Sequence, residues 1–526
     1  MNMKKLLAIL LAAVMVCGLL SGCGGSTASE SAAEAASTAA ETVESSESTP
    51  EEAAPAVGEL STGGLVLPLV DEPTSLTQWW GGFNSDQLGI ATPADVLVSQ
   101  EAENRTGIHV DYIVCGESAA AEVGAIMYAS GEYCDMISGG MVTYTGGFEK
   151  GVEDGIYIEL NDIIDQYCPN YKSILESDPA VDKNARTDSG LIIAFYQVAD
   201  NPQWPWFGVL GRGDWLDDLG MDVPVTYDEL HDVLTAFKTE KGATYPIEIG
   251  SSGYGWWYNF LAGCGVTNSW MQIDGKAMYS PVQDGYRKYL EIMSGWFDEG
   301  LVNPDFMSVN LGDTTNIVNG TAGVFLGQYN DTDTFTNMID GANVIGFPEP
   351  RLNKDDQIHV GQVNSRIGTT SKWVAISASC DVPELAAQWI DYAYSPEGEL
   401  LNNFGVEGET FVYDENGQPM LTELITDNPD GLSFTNAMWR YLDGCSGVRS
   451  YIWERELQVA SDNAKACEDT WAHDGAYIVP DMTTPTAEES ASQNAIMGDV
   501  ETYVNEMTLK FITGQAKLDD KAWDDI

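Results

Sequence analysis

From about residue 65 onward, strand-like and helix-like stretches alternate, and that order constrains the fold more than any other feature of the chain. Ile108-His109-Val110-Asp111-Tyr112-Ile113-Val114 turns side chains outward and inward in succession, as a strand does. It follows a helical stretch from about Val96 to Arg105 that Thr106-Gly107 stops. Ala119 to Ala129 reads as the next helix, and Cys134-Asp135-Met136-Ile137 as a buried strand before two glycines. A β-α-β-α succession predicts a parallel or mixed sheet covered by helices, so the expected class is α/β.

Later helices carry their own start and stop signals. Thr226 with Glu229 three residues on is a capping box that opens a helix to about Phe237. Between about Gly285 and Phe297, Tyr286, Leu290, Met293 and Phe297 form one apolar face. Pro383-Glu384 opens a third helix striped by Leu385, Ala386, Trp389, Ile390 and Ala393, and Ser395-Pro396 ends it. These stripes are read as core.

The N-terminus supplies an address. Lys4 and Lys5 precede an apolar run from Leu6 to Leu20, and Leu20-Ser21-Gly22-Cys23 is a lipoprotein cleavage box. The run is short of the roughly 20 residues that span a bilayer. Residues 1–22 are therefore expected to be a signal peptide, with Cys23 the lipidated first mature residue on the extracellular face of the cell membrane. The stretch 23–62 holds no aromatic and no basic residue, so it reads as an acidic, flexible tether.

Acidic residues number 81 against 24 basic ones, a formal net charge of −57. Such a field repels phosphate backbones and anionic head groups, which argues against nucleic acid and leaves the lipid as the membrane attachment. Beyond Cys17 and Cys23, seven scattered cysteines remain, without a CxxC or Cys/His spacing. Buried free thiols are expected, one or two disulfides being the alternative.

Several stretches together resemble one family. Arg212-Gly213-Asp214-Trp215-Leu216-Asp217-Asp218-Leu219-Gly220, then Pro224 and Thr226-Tyr227-Asp228-Glu229-Leu230, resemble a block of the family 1 extracellular solute-binding proteins of bacterial ABC importers. Gly300-Leu301-Val302-Asn303-Pro304-Asp305 is similar to that family's G-L-I-N-P-D turn. Phe404-Gly405-Val406-Glu407-Gly408-Glu409-Thr410-Phe411 and Phe511-Ile512-Thr513-Gly514 resemble signatures of its large lipoprotein branch. The resemblance implies a 63–526 module of two α/β lobes that close by a hinge on a solute, serving an ABC transporter permease. It puts the first lobe at about 65–200 and 370–408, and the second at about 201–369 and 409–526. The expected state is a monomer without cofactor or metal.

The solute has to be argued from chemistry. Sugar rings offer an apolar face and a rim of hydroxyls, so their sites need aromatic platforms flanked by polar side chains. Three clusters fit: Trp79 and Trp80 with Asn84 and Asp86; Trp204 and Trp206 after Asn201 and Gln203; Trp256, Trp257 and Tyr258 before Asn259. Gln328, Tyr329 and Asn330 follow an apolar strand, and polar residues at a strand end suit a cleft. Arg366, beside Asn364 and Ser365, is either a ligand contact or a structural ion pair. The leading expectation is an oligosaccharide; a peptide or another non-sugar solute is the alternative.

A surface-anchored hydrolase is the rival class. The four histidines form no HExxH, and GxSxG, P-loop and GxGxxG motifs are missing from the sequence. A glycosidase needs only two carboxylates about 5 to 10 Å apart. Asp182-Lys183-Asn184-Ala185-Arg186 and Asp331-Thr332-Asp333-Thr334-Phe335 each misplace a ligand for an EF-hand-type calcium loop.

Overall fold

The computed structural model describes residues 60–62, 64–83, 85–139, 144, 146–200, 205–253, 258–309, 315–361, 366–367, 372–479 and 486–524. The expected signal peptide, Cys23 and nearly all of the tether lie outside them.

The alternation builds two sheets. The first contains β1 (Thr74–Gly81), β2 (Ile108–Cys115), β3 (Met136–Gly139) and the short β4 (Phe195–Tyr196), to which β10 below is added. A two-residue strand, β5 (Val198–Ala199), leads out of it. The second sheet contains β6 (Phe207–Arg212), β7 (Ile247–Glu248), β8 (Val324–Gln328) and β9 (Val344–Phe347). The chain then returns to the first sheet as β10 (Trp373–Ile376), and β11 (Ser450–Tyr451) pairs in parallel with β5.

Strand order in the first sheet is β2-β1-β3-β10-β4, and in the second β9-β6-β8-β7. Trp79 pairs with Ile137 in parallel, whereas Trp373 pairs with both Gly139 and Tyr196 in antiparallel fashion. In the second sheet Gln328 pairs with Phe207, and Phe347 with Val209, both antiparallel. Both sheets are thus mixed, and every residue of β6 is buried because the sheet is covered on both faces.

The helices keep the sequence signals. Among them are α1 (Leu97–Thr106), α2 (Tyr227–Glu240), α3 (Asp284–Asp298), α4 (Pro383–Tyr392), α5 (Pro396–Phe404), α6 (Phe434–Leu442) and α7 (Ala487–Ile512). Gly107, at φ 76°, ends α1 in the left-handed conformation that glycine adopts without a Cβ clash. Thr226 Oγ1 accepts from Glu229 N (3.1 Å) while Glu229 Oε2 accepts from Thr226 N (3.1 Å), the reciprocal cap on α2. Ser395 does more than end α4: its hydroxyl accepts from Gly398 N (3.0 Å) and so starts α5.

Each sheet has its own core. The first gathers side chains from Leu65 to Val198 and again from Ile367 to Val448; the second runs from Phe207 to Phe347 and takes in Phe511 and Ile512. The first core therefore extends past the expected boundary at 408. The reason is α6, which packs on α1 and α5 and buries Ala437, Met438 and Leu442 there. Tyr451, within the crossing pair, and Trp453, just past it, join a third cluster with Leu210, Phe325, Tyr329 and Trp471. All seven cysteines beyond Cys23 are free. Among the described residues no helix is long and apolar enough to cross a membrane.

Candidate functional site

Strand direction sorts the candidate residues onto two edges. Trp80 lies at the carboxyl end of β1, level with the ends of β2 and β3 and with the start of β10. Gln328, Tyr329 and Asn330 lie at the carboxyl end of β8, level with Phe207 at the start of β6, so Trp206 stands beside them. In open α/β sheets this is the side where ligands bind. Tyr258 lies ten residues past the end of β7, beyond the helical turn Gly250–Gly253, and packs against Ala262, Ile358 and Val360, so strand direction does not put it on an edge.

The Trp79-Trp80 pair is divided by strand alternation. Trp79 is buried at 2% exposure in the first core, so it is not available as a platform. Trp80 is half-buried on the other face, edge-on to Phe83 (centroids 6.4 Å) and Tyr112 (6.0 Å). The backbone of Gly447, at φ 81°, comes so close that a Cβ there would lie 2.9 Å from the Trp80 ring. Lys372 Nζ sits 6.0 Å from the centroid of the same ring.

Lys372 is itself held. Its ammonium donates to Asp443 Oδ2 (2.6 Å) and Oδ1 (2.8 Å), and Arg449 Nη1 lies 3.5 Å from Oδ1. Burial alone would raise the Asp443 carboxyl, but Lys372 and Arg449 hold it below its ordinary value. On the same face of β1 as Trp80, fully buried Gln78 donates from Nε2 to Ser138 Oγ and to the Ser446 carbonyl (2.8 Å). The Oε1 of Gln78 is a buried acceptor with no partner. Sequence reading missed Gln78, Lys372, Asp443 and Ser446. The one local signal was a lysine directly before an apolar strand.

Between the edges, the β5/β11 pair is fastened by side chains. Asn403 donates from Nδ2 to the Ser450 carbonyl (2.8 Å) and accepts from Ile452 N (3.0 Å), completing the backbone pairing of β11. Arg449 and Arg455 lie over the Tyr451 ring at 5.1 and 4.8 Å, and both donate to carbonyls at the end of α5. Glu456 accepts from Tyr451 and from Tyr329 (2.8 Å), which ties the end of β8 to the crossing strand. Tyr329 is therefore buried at 5% and committed to that contact. Arg366 takes the structural alternative: it donates to the Ala199 carbonyl (2.7 Å) and pairs with Asp178 (3.1 Å), bracing β5.

At the second edge, Asn330 Nδ2 donates to Thr435 Oγ1 (3.0 Å) on α6, a bond from a second-sheet loop to a first-core helix. Asp331 accepts from Gln328 N (2.8 Å), and burial raises its carboxyl to about 6. Tyr258 (φ 64°) and Phe260 (φ 63°) hold left-handed backbone, a strain of about 1–3 kcal/mol each for such residues. Phe260 N donates to Glu349, whose burial pushes its carboxyl to about 8.

Asn84, Trp204, Trp256 and Trp257 lie outside the described residues, as do Asn201, Gln203, Asn364 and Ser365; of Asp86 only the backbone is described. Among the described residues no group of three or more His, Cys, Asp or Glu is arranged to hold a metal ion.

Residues 89–400 match the model of a family described as bacterial extracellular solute-binding protein. The chain belongs to that family. Proteins similar to the chain include the fructooligosaccharide ABC transporter substrate-binding protein FusA of Streptococcus pneumoniae, 27% identical over 373 residues, 66% of this chain and 65% of that protein. Lipoprotein LipO of Bacillus subtilis is 26% identical over 343 residues, 61% of this chain and 65% of LipO. The chain thus spans about two thirds of the length of each, 65% in both cases. Among solved structures, the alginate-binding protein AlgQ2 without calcium ion matches with a TM-score of 0.71 at 22% identity, covering 87% of this chain and 94% of that one. That likeness establishes the fold: two α/β lobes of the periplasmic-binding-protein type.

Proposed function

We propose that this chain is a membrane-anchored solute-binding protein that captures an oligosaccharide between its lobes and delivers it to an ABC permease. The observation that carries the reading is the set of aromatic and polar side chains at the carboxyl ends of both sheets, on either side of the β5/β11 crossing: Trp80 with Lys372 and Asp443 on one, Trp206, Gln328 and Asn330 on the other. A flat ring beside a fixed donor and acceptor suits a pyranose or furanose face and its hydroxyl rim. The fructooligosaccharide named for FusA supports the same class.

In this reading the first lobe takes 65–200 and 366–448, and the second 205–361 and 453–524. The β5/β11 pair is the hinge, and sugar contacts from both edges stabilise the closed form that the permease reads. Cys23 carries the lipid and keeps the binder, as a monomer, on the extracellular face near its permease; the lipoprotein name of LipO is in keeping with this. Trp204, Trp256 and Trp257, outside the described residues, are further candidate sugar contacts. The protein binds and does not cut: a labelled oligosaccharide incubated with it stays intact.

Titrating the full chain with a panel of oligosaccharides, while following tryptophan fluorescence and melting temperature, tests this. At least one glycan is expected to give a saturable response. Silence across the whole panel, with a response to peptides, would replace the reading.

A further inference from the structure

We infer that the oligosaccharide carries a carboxylate, which Arg351 receives beside His473 at the second sheet edge; this rests on the carbohydrate reading above and narrows it. In a chain with 81 acidic residues against 24 basic ones, an arginine without a carboxylate is out of place. Arg351 is such a residue. Among the described residues no Asp or Glu side chain pairs with it, and its one side-chain hydrogen bond runs from Nη1 to the Asp356 carbonyl (3.2 Å). Its Nε is buried and has no acceptor.

The backbone around both side chains sets them at this edge. β9 ends at Phe347, level with Val209 near the start of β6, and Arg351 follows a short loop later. Arg351 N donates to the Val225 carbonyl (3.0 Å) and the Arg351 carbonyl accepts from Tyr227 N (3.0 Å), which pins the residue to the start of α2. Trp471 Nε1 donates to the Phe347 carbonyl (3.0 Å), so His473 follows directly on a side chain fixed to the end of β9. The backbone of Gly361 lies against the imidazole: a Cβ there would be 2.7 Å from His473 Cδ2. Beyond Gly361 the chain returns to the first sheet as β10.

Neighbouring carboxyls are committed elsewhere. Asp356 Oδ2 accepts from Asn353 N (2.8 Å) and Nδ2 (2.9 Å), Asp474 holds His359 Nδ1 (2.8 Å) and Ala476 N (2.9 Å), and buried Glu349 accepts from Phe260 N. Burial, and then the Arg351 charge, push the His473 imidazole down to about 4 against the pull of Asp474, so at neutral pH it is uncharged. Neither of its ring nitrogens has a hydrogen-bond partner among the described residues, which leaves an N–H for a ligand. On Arg351, Nε and Nη2 are left without an acceptor; they form the side-on edge of a guanidinium, which matches the two oxygens of a carboxylate. A sugar hydroxyl offers one oxygen and no counter-charge. The net charge of −57 acts over longer distances and is screened beyond about 8 Å at physiological salt, whereas the direct contact is not.

Oligogalacturonate, oligomannuronate and sialyllactose, each beside its neutral methyl ester, test this on the full chain by tryptophan fluorescence at physiological salt. At least one acid is expected to bind about ten-fold or more tightly than its own ester. In Arg351→Gln that advantage should fall below about two-fold, while Arg351→Lys, which keeps the charge and loses the fork, retains part of it. Where Arg351→Gln fails to melt cooperatively, His473→Gln takes its place, and the advantage should fall about three-fold or more. Esters that bind as tightly as their acids, or an advantage that persists in the folded variant, overturn the inference and leave the carbohydrate reading standing. A neutral oligosaccharide that binds as tightly as every acid does the same. Silence from acids, esters and neutral glycans overturns the carbohydrate reading and this inference with it.

Discussion

The two sheet edges are built differently. At the first, the polar groups around Trp80 are ion-paired or hydrogen-bonded to neighbours far away in sequence: Gln78 to Ser446, Lys372 to Asp443, Cys445 N to Ser99. At the second, carboxyls sit buried without a cation. Asp331 and Glu349 each accept from a backbone N–H, and the chain at Tyr258 and Phe260 is held in left-handed backbone. A fixed edge presents a ready platform. The second edge instead carries backbone strain and carboxyls that burial keeps protonated to higher pH.

Asp443→Asn breaks the first edge hardest. It leaves Arg449, 8% exposed at its side chain, and the Lys372 ammonium without their counter-charge. A loss of about 3 kcal/mol in denaturant unfolding is expected. A change within 0.5 kcal/mol would mean that this edge is not held by its ion pair.

Glu349→Gln sharpens the contrast from the other side. In the folded chain Glu349 keeps its proton up to about pH 8, whereas an unfolded glutamate releases it near 4.3. The folded state therefore binds more protons between these values. The stability this gives is complete below about pH 4 and is lost as pH rises through 8. Melting of the wild type should fall between pH 5 and 8 relative to the glutamine variant, by about 2 kcal/mol or more. Parallel curves for the two proteins would show that Glu349 is ionised when folded.

The smallest effect belongs to the link between the regions. Asn330→Ala removes the donor to Thr435 and should cost about 1 kcal/mol in the form seen here, read as a shift in scattering radius toward a more open chain. An unchanged radius, together with unchanged stability, would remove this bond from the account of closure.

Legibility in the sequence follows range. The caps on α1 and α2, the α3 stripe through Tyr286, Leu290 and Met293 and the strand at 108 depend on neighbours within a turn or a strand, and they stand where the pattern puts them. The crossing pair joins two-residue strands about 250 positions apart, and no local signal announces it. For the same reason the first core's reach to Val448 was not legible. The fates of Trp79 and Trp80 were half legible: once β1 is read as a strand, one indole must go in and the other out, but only the partner strands decide which. Tyr329 was read as a cleft residue from its place at a strand end; its partner Glu456 lies 127 residues away.

The most direct test of a sugar held at the Trp80 edge is the affinity of Trp80→Ala for whichever oligosaccharide the wild type binds. Because Trp80 is half-buried and outside the first core cluster, cooperative melting should be retained while Kd rises about 30-fold, or about 2 kcal/mol. An unchanged Kd in the folded variant would place the sugar elsewhere and contradict the account.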